Sequence, residues 1–359
     1  MSLKDVLIKD VRNLENLNFQ PSPEFNIIVG PNGSGKTSLL ESLYILSRAR
    51  SFRTHNIRKV LSHDKKNLIV FAELDTLGVT NKIAIKKSQH DTIIRINGNT
   101  EKKASELSRY LHTHLIRPES QSLLENGAAS RRSFIDLGVF HVKHSFLIAL
   151  KQHNQLLKQR NSLLKSKQLD TLPIWSNKLS EYGTIVSNQR AEYIESLNQE
   201  LKQVAQYFFS NIEFDINYLC GWDINLTLTE ALGKNLSRDM QYGYTTVGTH
   251  KSDIKVLVDG KLAQDYLSRG QMKLLVIALY LAQIKLMSKR SYKSVCVLLD
   301  DLAAELDAAS FKKVMLFLKK LGIQVFITTT NKDLFSEFIK EKETKVFHVK
   351  QGVMHIEES

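Results

Sequence analysis

The sequence predicts an α/β protein in which a β-rich segment and a largely parallel, mixed sheet are interrupted by an inserted all-helical lobe. Three observations predict it. Strand-like runs alternate with turns early in the chain, a stretch without Gly or Pro and with leucines at seven-residue spacing follows, and strand–helix–strand alternation then returns.

The early region reads as strands over 67–74, 82–86 and 92–96, the last running into Asn97-Gly98, a hairpin-turn pair. Residues 139–172 contain neither Gly nor Pro, and Leu150, Leu157 and Leu164 recur every seven positions, which predicts one long helix with a single apolar seam. A second helix is expected from Thr184 onward, the two flanking Pro173 and Gly183. The expected division is a discontinuous head over 1–115 and 208–359 and a helical arm over 116–207. Later a helix is expected over 271–289, a buried strand over Ser294–Leu299, another helix, and a strand over 324–328, the trace of a parallel sheet.

Composition narrows the function classes. With 42% hydrophobic positions, 16 Gly and 5 Pro, collagen-like, mucin-like and wholly disordered chains are excluded. The longest apolar runs, such as 274–281, fall short of the roughly 20 residues of a bilayer crossing, so no membrane partner is expected. The opening MSLKDVLIKDV places charges where a signal peptide needs a continuous apolar stretch, and a cytoplasmic location is expected. Cys220 and Cys296, far apart in strand-like surroundings, read as buried free thiols. Fifty Lys+Arg against 37 Asp+Glu leave +13, which points to a polyanionic partner. Lys143, Lys151, Lys158, Arg160, Lys165 and Lys167 occur over 141–168 without an acid; that stretch is either a solvated helix face or a DNA contact.

The strand-like run 25–29 leads into Gly30-Pro31-Asn32-Gly33-Ser34-Gly35-Lys36-Thr37, then Ser38 and a helical pattern. This is G-x-x-x-x-G-K-[ST] in its strand–loop–helix context, a phosphate loop. Backbone N–H groups close around the phosphates and the helix N-terminus adds partial positive charge. Lys36 is expected to reach the β/γ-phosphates of ATP and Thr37 to offer its hydroxyl to Mg²⁺. A guanine nucleotide is disfavoured, because in Asn331-Lys332-Asp333 the acid falls one position early for the base-reading element of GTPases.

The apolar run 295–299 ends in Asp300-Asp301, as when a buried parallel strand delivers acids at its C-terminal edge. Asp300 is the expected Mg²⁺ partner, and Asp301 either orients the attacking water or is a structural acid. Ser268-Arg269-Gly270-Gln271 opens a helix, with Ser268 placed to cap it. After Leu267 it resembles the L-S-G-G-Q signature of ABC-type ATPases, with Arg269 in place of the first Gly. Glu305-Leu306-Asp307 looks like the D-loop of that superfamily. The resemblance implies two ATP sandwiched in a homodimer, with Ser268, Gly270 and Gln271 completing the partner's site.

Four further stretches carry a closer resemblance over essentially the whole chain. They are Ser51-Phe52-Arg53-Thr54; Pro118-Glu119 with Leu123-Leu124 and Arg131-Arg132-x-Phe134-Ile135-Asp136; Gly248-Thr249-His250-Lys251-Ser252-Asp253; and 299–307. Together they resemble the RecF family of bacterial recombination-repair ATPases, with an ABC/SMC-like head. The resemblance implies a weak DNA-dependent ATPase on double-stranded and gapped DNA that helps load recombinase with RecO and RecR. The chain departs from the family at Asn126-Gly127-Ala128. It has Pro118-Glu119, with Gln121 nearby, where an ABC protein carries its Q-loop glutamine, and 328–331 where a switch histidine stands. That last departure agrees with slow hydrolysis. His250 is either a packed or capping residue or a catalytic one, and Arg131 and Arg132 either bind phosphate or pair with acids. An ABC-transporter subunit and a P-loop small-molecule kinase are the rivals. The long insertion before the signature and the missing histidine count against the first; an ATP-dependent dimer would count against the second.

Overall fold

The computed structural model describes residues 2–76, 78–143, 145–210, 212–290, 294–341 and 343–357. By contacts the chain forms two compact units, Met1–Ser120 with Ser288–Ser359, and Gln121–Met287.

The first unit begins with β1 (Ser2–Val11), β2 (Leu14–Phe19), β3 (Phe25–Val29), α1 (Lys36–Arg48), β4 (Asn67–Thr76), β5 (Val79–Ser88), β6 (Thr92–Ile96), β7 (Asn99–Glu101) and β8 (Leu111–Ile116). The hairpin turn stands as expected, with Asn97 and Gly98 both at positive φ. Within the second unit follow α2 (Ala128–Val142), α3 (Ser145–Ser166), α4 (Leu172–Phe208), β9 (Phe214–Leu219), α5 (Leu228–Lys234), α6 (Leu236–Tyr242), β10 (Asp253–Val258), β11 (Lys261–Leu262), α7 (Ala263–Tyr266) and α8 (Arg269–Arg290). The chain returns to the first unit with β12 (Ser294–Leu299), α9 (Ala308–Lys320), β13 (Gln324–Thr329), α10 (Ser336–Ile339), β14 (Thr344–Lys350) and β15 (Val353–Ile356).

Two six-stranded sheets build the first unit. One is antiparallel, in the order β2-β1-β4-β5-β6-β7; the other runs β15-β14-β3-β13-β12-β8 and is parallel except for β15. Leu39, Leu40, Leu43 and Leu46 of α1 are wholly buried in one cluster with residues of both sheets. That double burial explains why α1 is buried almost all round, its polar Ser38, Glu41, Ser42 and Ser47 included. The described side chains of β3, β12 and β13 are buried along the whole strand and mostly apolar, because a parallel strand covered on both faces has no solvent side to show.

The expected single helix over 139–172 is two. α2 ends at Val142, and Lys143 takes an extended backbone before α3 begins. The buried line of α3 is Phe146, Ala149, His153, Leu156, Arg160 and Leu164; of the seven-residue leucines only Leu164 lies on it, while Leu150 and Leu157 flank it. α4 runs 37 residues straight through Gly183. This glycine serves close packing, since a Cβ there would stand 2.5 Å from Leu228 Cδ2 and 3.1 Å from Thr249 Oγ1. Pro173 sits in the first turn of α4, where its missing N–H costs nothing. The compact unit containing these helices is not all-helical, because it carries the antiparallel sheet β11-β10-β9. Residues 208–287 group with the arm since β9 packs on α4 and β10 on α2.

α8 is long and apolar enough to cross a membrane, a property that reading run lengths overlooked; 67% of its apolar window is buried within the protein. Its middle carries Gln283, whose amide donates to Phe134 O at 3.0 Å and to Tyr193 Oη at 2.9 Å, as a core helix rather than a lipid-facing one requires. Beside them Gly138 of α2 lets two helices approach; a Cβ there would stand 2.0 Å from Tyr193 Oη and 2.6 Å from Gln283 Nε2. Overpacking of about 1–3 kcal/mol and the disturbed hydrogen bond outweigh the ~1 kcal/mol gained by removing a helical glycine. Gly138→Ala is therefore expected to lower stability by about 1–2 kcal/mol, read from urea unfolding followed by circular dichroism.

Candidate nucleotide site

The parallel register aligns three strand ends: Val29 of β3 faces Thr329 of β13, and Ile327 faces Leu299 of β12. The loop after β3, Thr328 near the end of β13, and Asp300 just past β12 thus meet at one edge. They line a cavity of about 560 Å³, with Asn32, Gly33, Ser34, Gly35, Lys36, Thr37, Ser38 and Asp301 on its wall, together with Arg12, Asn13, Arg53 and Lys59. That volume is ordinary for a small-molecule site.

Two glycines of the loop have no alternative. Gly35 turns into α1 at φ 117°, and a Cβ on Gly30 would stand 2.3 Å from Val349 O and 2.7 Å from Ser34 Oγ. Lys36 curls back inside the loop and donates to Gly30 O at 2.6 Å and Pro31 O at 3.0 Å. Burial pushes its pKa down, while Asp301 and Asp300 pull it up. Ser34 Oγ is buried without a hydrogen-bond partner among the described residues. An unsatisfied hydroxyl, a partly desolvated ammonium and the first-turn N–H groups of α1 together fit an anionic phosphate.

Thr37 donates from Oγ1 to Asp300 Oδ1 at 3.0 Å, and Thr328 Oγ1 reaches the same oxygen at 2.9 Å. Burial raises the Asp300 pKa above the ordinary 3.8; the Thr328 and Thr37 hydrogen bonds oppose it and Asp301 adds to it. A hydroxyl and a partly buried carboxylate sharing one contact are the oxygen donors a hard divalent cation takes. Asp301 adopts a left-handed backbone, φ 50°, and its N–H donates to Thr328 Oγ1 at 2.9 Å.

Several wall residues were not anticipated. Arg12 and Asn13 lie in the β1–β2 turn, and Asn13 Nδ2 reaches Gly33 O at 3.4 Å. Arg12 makes a two-pronged pair with Glu41 (Nε–Oε2 2.9 Å, Nη2–Oε1 3.0 Å), whose carboxylate is fully buried in α1. Ser51 donates to Glu41 and Arg53 Nη1 stands 3.7 Å from it, so the Ser51–Thr54 element is tied to the loop helix. The available signal was Glu41 itself, the one acid of α1, set between Leu40 and Leu43. Nothing in the sequence marks Arg12 or Lys59.

The other expected residues lie elsewhere. Ser268, Gly270 and Gln271 belong to the second unit and are exposed at the start of α8. Ser268 Oγ accepts from Gln271 N at 3.3 Å and Gln271 Oε1 accepts from Ser268 N at 3.0 Å, a capping box. Asp307 caps α9 through Ser310 N at 2.9 Å. Asn331 Oδ1 accepts from Asp333 N at 2.9 Å, a local turn. The side chain of Gln121 lies outside the described residues. His250 is a packed residue: its Nε2 meets Thr245 O at 3.0 Å, and burial pushes its pKa down to about 4.

Arg131 pairs with Asp253 (Nε–Oδ1 2.8 Å, Nη2–Oδ2 2.8 Å) and Arg132 donates to Ser252 O at 2.7 Å. Arg190 of α4 joins them, binding Asp136 through Nε at 2.7 Å and both Thr249 O and Ser252 Oγ at 2.8 Å. The two signature stretches of the second unit therefore bind each other. Cys220 and Cys296 are buried and free, as expected.

A raised carboxyl pKa contributes stability below the unfolded value of about 3.8 and loses it as pH rises through the folded value. Asp300→Asn keeps an oxygen acceptor for Thr37 and Thr328 while removing the buried charge. It is expected to raise the unfolding midpoint of the nucleotide-free protein at pH 7 and to leave it unchanged below pH ~3.8, checked by thermal unfolding across a pH series.

Known proteins share the sequence and the fold of this chain. The RecF/RecN/SMC N terminal domain family matches residues 2–355. A protein of Shewanella denitrificans named DNA replication and repair protein RecF is 38% identical over 354 residues, 98% of each chain. A solved structure described as the recombination mediator protein RecF with ATP in the RecFOR pathway superposes with a TM-score of 0.88 at 28% identity, covering 99% of this chain and 98% of that one. An Smc head bound to the C-winged helix domain of ScpA shares the fold, with a TM-score of 0.58 at 14% identity over 99% of this chain and 97% of that one. The chain belongs to the RecF family, with an SMC-like head fold of mixed and antiparallel sheets and a helical region.

Proposed function

We propose that this protein is an ATP-dependent DNA-binding protein of recombinational repair and replication, which dimerises around two Mg-ATP and hydrolyses them slowly under the control of DNA. The observation that carries the proposal is the Thr37–Asp300 contact of 3.0 Å beside the Lys36 ammonium inside the phosphate loop. Residues Gly30 to Gly35 wrap the phosphates with backbone N–H groups, and Ser38 with the rest of the first turn of α1 adds its dipole. Lys36 exchanges its two carbonyl partners for phosphate oxygens. A divalent cation held by Thr37 and Asp300 would neutralise charge on the transferred phosphoryl group. Asp301 orients the attacking water, and Ser268, Gly270 and Gln271 of a second copy close the site over the γ-phosphate.

In this reading the unit formed by 1–120 and 288–359 carries nucleotide, and the helices within 121–287 extend the surface offered to double-stranded or gapped DNA. A net charge of +13 supports a phosphate-backbone partner, bound without regard to sequence. The pathway named for the similar ATP-bound structure supports RecO and RecR as partners in loading recombinase, and a cytoplasmic location fits that role.

Binding of gapped duplex across a salt series, with and without Mg-ATP and with mass followed in parallel, tests the proposal. A dimer that binds only with ATP, its affinity falling by about 0.9 log units per log unit of salt for each phosphate contacted, supports it. A monomer that binds ATP and ignores DNA refutes it in favour of a small-molecule kinase. Asp301→Asn is expected to slow hydrolysis at least ~10²-fold and accumulate ATP-bound dimer, while Ser268→Arg prevents dimer formation. Turnover and sedimentation of both variants check this; parent-like behaviour in both contradicts a site shared between subunits.

A further inference from the structure

The second unit carries an exposed aromatic pair with no part in the nucleotide site. Tyr242 ends α6 and Tyr244 lies two residues on, 52% and 43% exposed. Their ring centroids are 5.8 Å apart and the planes 32° from parallel. Each ring also faces a cation: Arg238 lies 5.7 Å from the Tyr242 centroid and Lys251 Nζ 5.7 Å from that of Tyr244. Gly243 between them takes φ 71°, and its Cα approaches the Lys165 stem, the Cβ position falling 3.4 Å from Lys165 Cγ.

The charge along this stretch of chain is one-sided. Over 231–252 the only acid is Asp239, and it is wholly buried against Arg160 at 2.7 Å. Arg238, Lys251 and Lys165 are exposed, and among the described residues none of them pairs with a carboxylate. The turn is rigid: Asp239 Oδ1 accepts from Thr246 N at 2.8 Å, and Asn161 Oδ1 accepts from Thr245 N at 2.8 Å.

We propose that Tyr242 and Tyr244 form a stacking platform for unpaired bases of single-stranded nucleic acid, with Arg238, Lys251 and Lys165 taking the flanking phosphates. Every base offers a π face, so the platform is tolerant of sequence, and stacked bases with phosphates on either side match alternating rings and cations. A duplex keeps its base faces internal and has nothing to offer the rings. An acidic protein segment would satisfy the cations and leave the tyrosines without a role. The site lies outside the nucleotide pocket and needs no ATP. It deepens the reading of a gapped-DNA protein by assigning the unpaired strand its own surface.

The test is anisotropy of a labelled twenty-residue oligothymidylate without nucleotide, for the parent, Tyr242→Ala/Tyr244→Ala, Tyr242→Phe/Tyr244→Phe and Arg238→Ser/Lys251→Ser. The double alanine variant is expected to bind at least ~25-fold more weakly, and the phenylalanine variant like the parent, because stacking needs the ring and not the hydroxyl. Removing the two cations should flatten the log–log salt dependence by about 1.4. The proposal falls if the alanine variant binds like the parent, if the phenylalanine variant is equally impaired, or if polyglutamate displaces the oligomer and shows the same losses. ATP-dependent duplex binding is measured on the same samples. A parent that binds duplex and not oligothymidylate overturns this proposal alone, and one that binds oligothymidylate and never duplex overturns the ATP-clamp reading alone.

Discussion

A carboxylate at the end of an apolar strand has to be matched by donors, and the first unit is arranged around that need at Asp300. The parallel pairing of β3, β13 and β12 brings Thr37, Thr328 and Asp300 to the same level, and both hydroxyls turn to one carboxylate oxygen. The match is incomplete, because burial still raises the Asp300 pKa. The site therefore holds an electrostatic cost that a cation bound there would relieve. Lys36, on the wall of the same pocket, carries the opposite charge: its ammonium is partly desolvated, and its hydrogen bonds go to two neutral carbonyls. Such mutual frustration is destabilising in the fold and useful in a binding site.

The second unit solves a different problem by pairing its buried Arg160 and Arg190 and its half-buried Arg131 with acids. Arg160 with Asp239, Arg190 with Asp136, and Arg131 with Asp253 tie α2, α3, α4, α6 and β10 together. Pairs of this kind stabilise little over a well-packed apolar core, but losing one partner costs about 3–5 kcal/mol. They consequently penalise helix registers in which a guanidinium misses its acid. Long helices sliding along one another need that kind of penalty, since a leucine-lined interface changes little in energy when shifted by a turn. Gly138 and Gly183 act in the same direction, because each admits a specific neighbour at a distance no other residue allows.

What could be read in the sequence was local. The phosphate loop, the acid pair after a buried strand and the Asn97-Gly98 turn are written in consecutive residues, because strand–loop–helix geometry is fixed by the chain itself. The path of the helices was misread where local signals compete with packing. Gly183 has the propensity of a break yet lies inside a 37-residue helix, since Leu228 and Thr249 fill the space a side chain would take. The seam at 150, 157 and 164 followed a seven-residue spacing, whereas burial follows 146, 149, 153, 156, 160 and 164 and includes an arginine no hydropathy rule places inside. Arg12, Asn13 and Lys59 were invisible for a third reason. Arg12 and Asn13 sit in the β1–β2 turn and Lys59 between α1 and β4, and they line the pocket through placements far apart in sequence from the loop.

The same distinction bears on charge. A count of +13 treats every lysine and arginine as available, but Arg131, Arg160 and Arg190 are spent on internal carboxylates, and Lys143 pairs with Glu192. Of the six cations over 141–168, Lys151, Lys158, Lys165 and Lys167 remain exposed and Arg160 is part of the core. Two of the stretches that carry the family resemblance, Arg131-Arg132-x-Phe134-Ile135-Asp136 and Gly248 to Asp253, fall on the internal side of this division. Their residues hold one another, so a change in either stretch acts first on the fold. Exposed cations beside exposed rings, as at Arg238 and Lys251, fall on the other side. There a substitution removes exposed positive charge and leaves the core as it was.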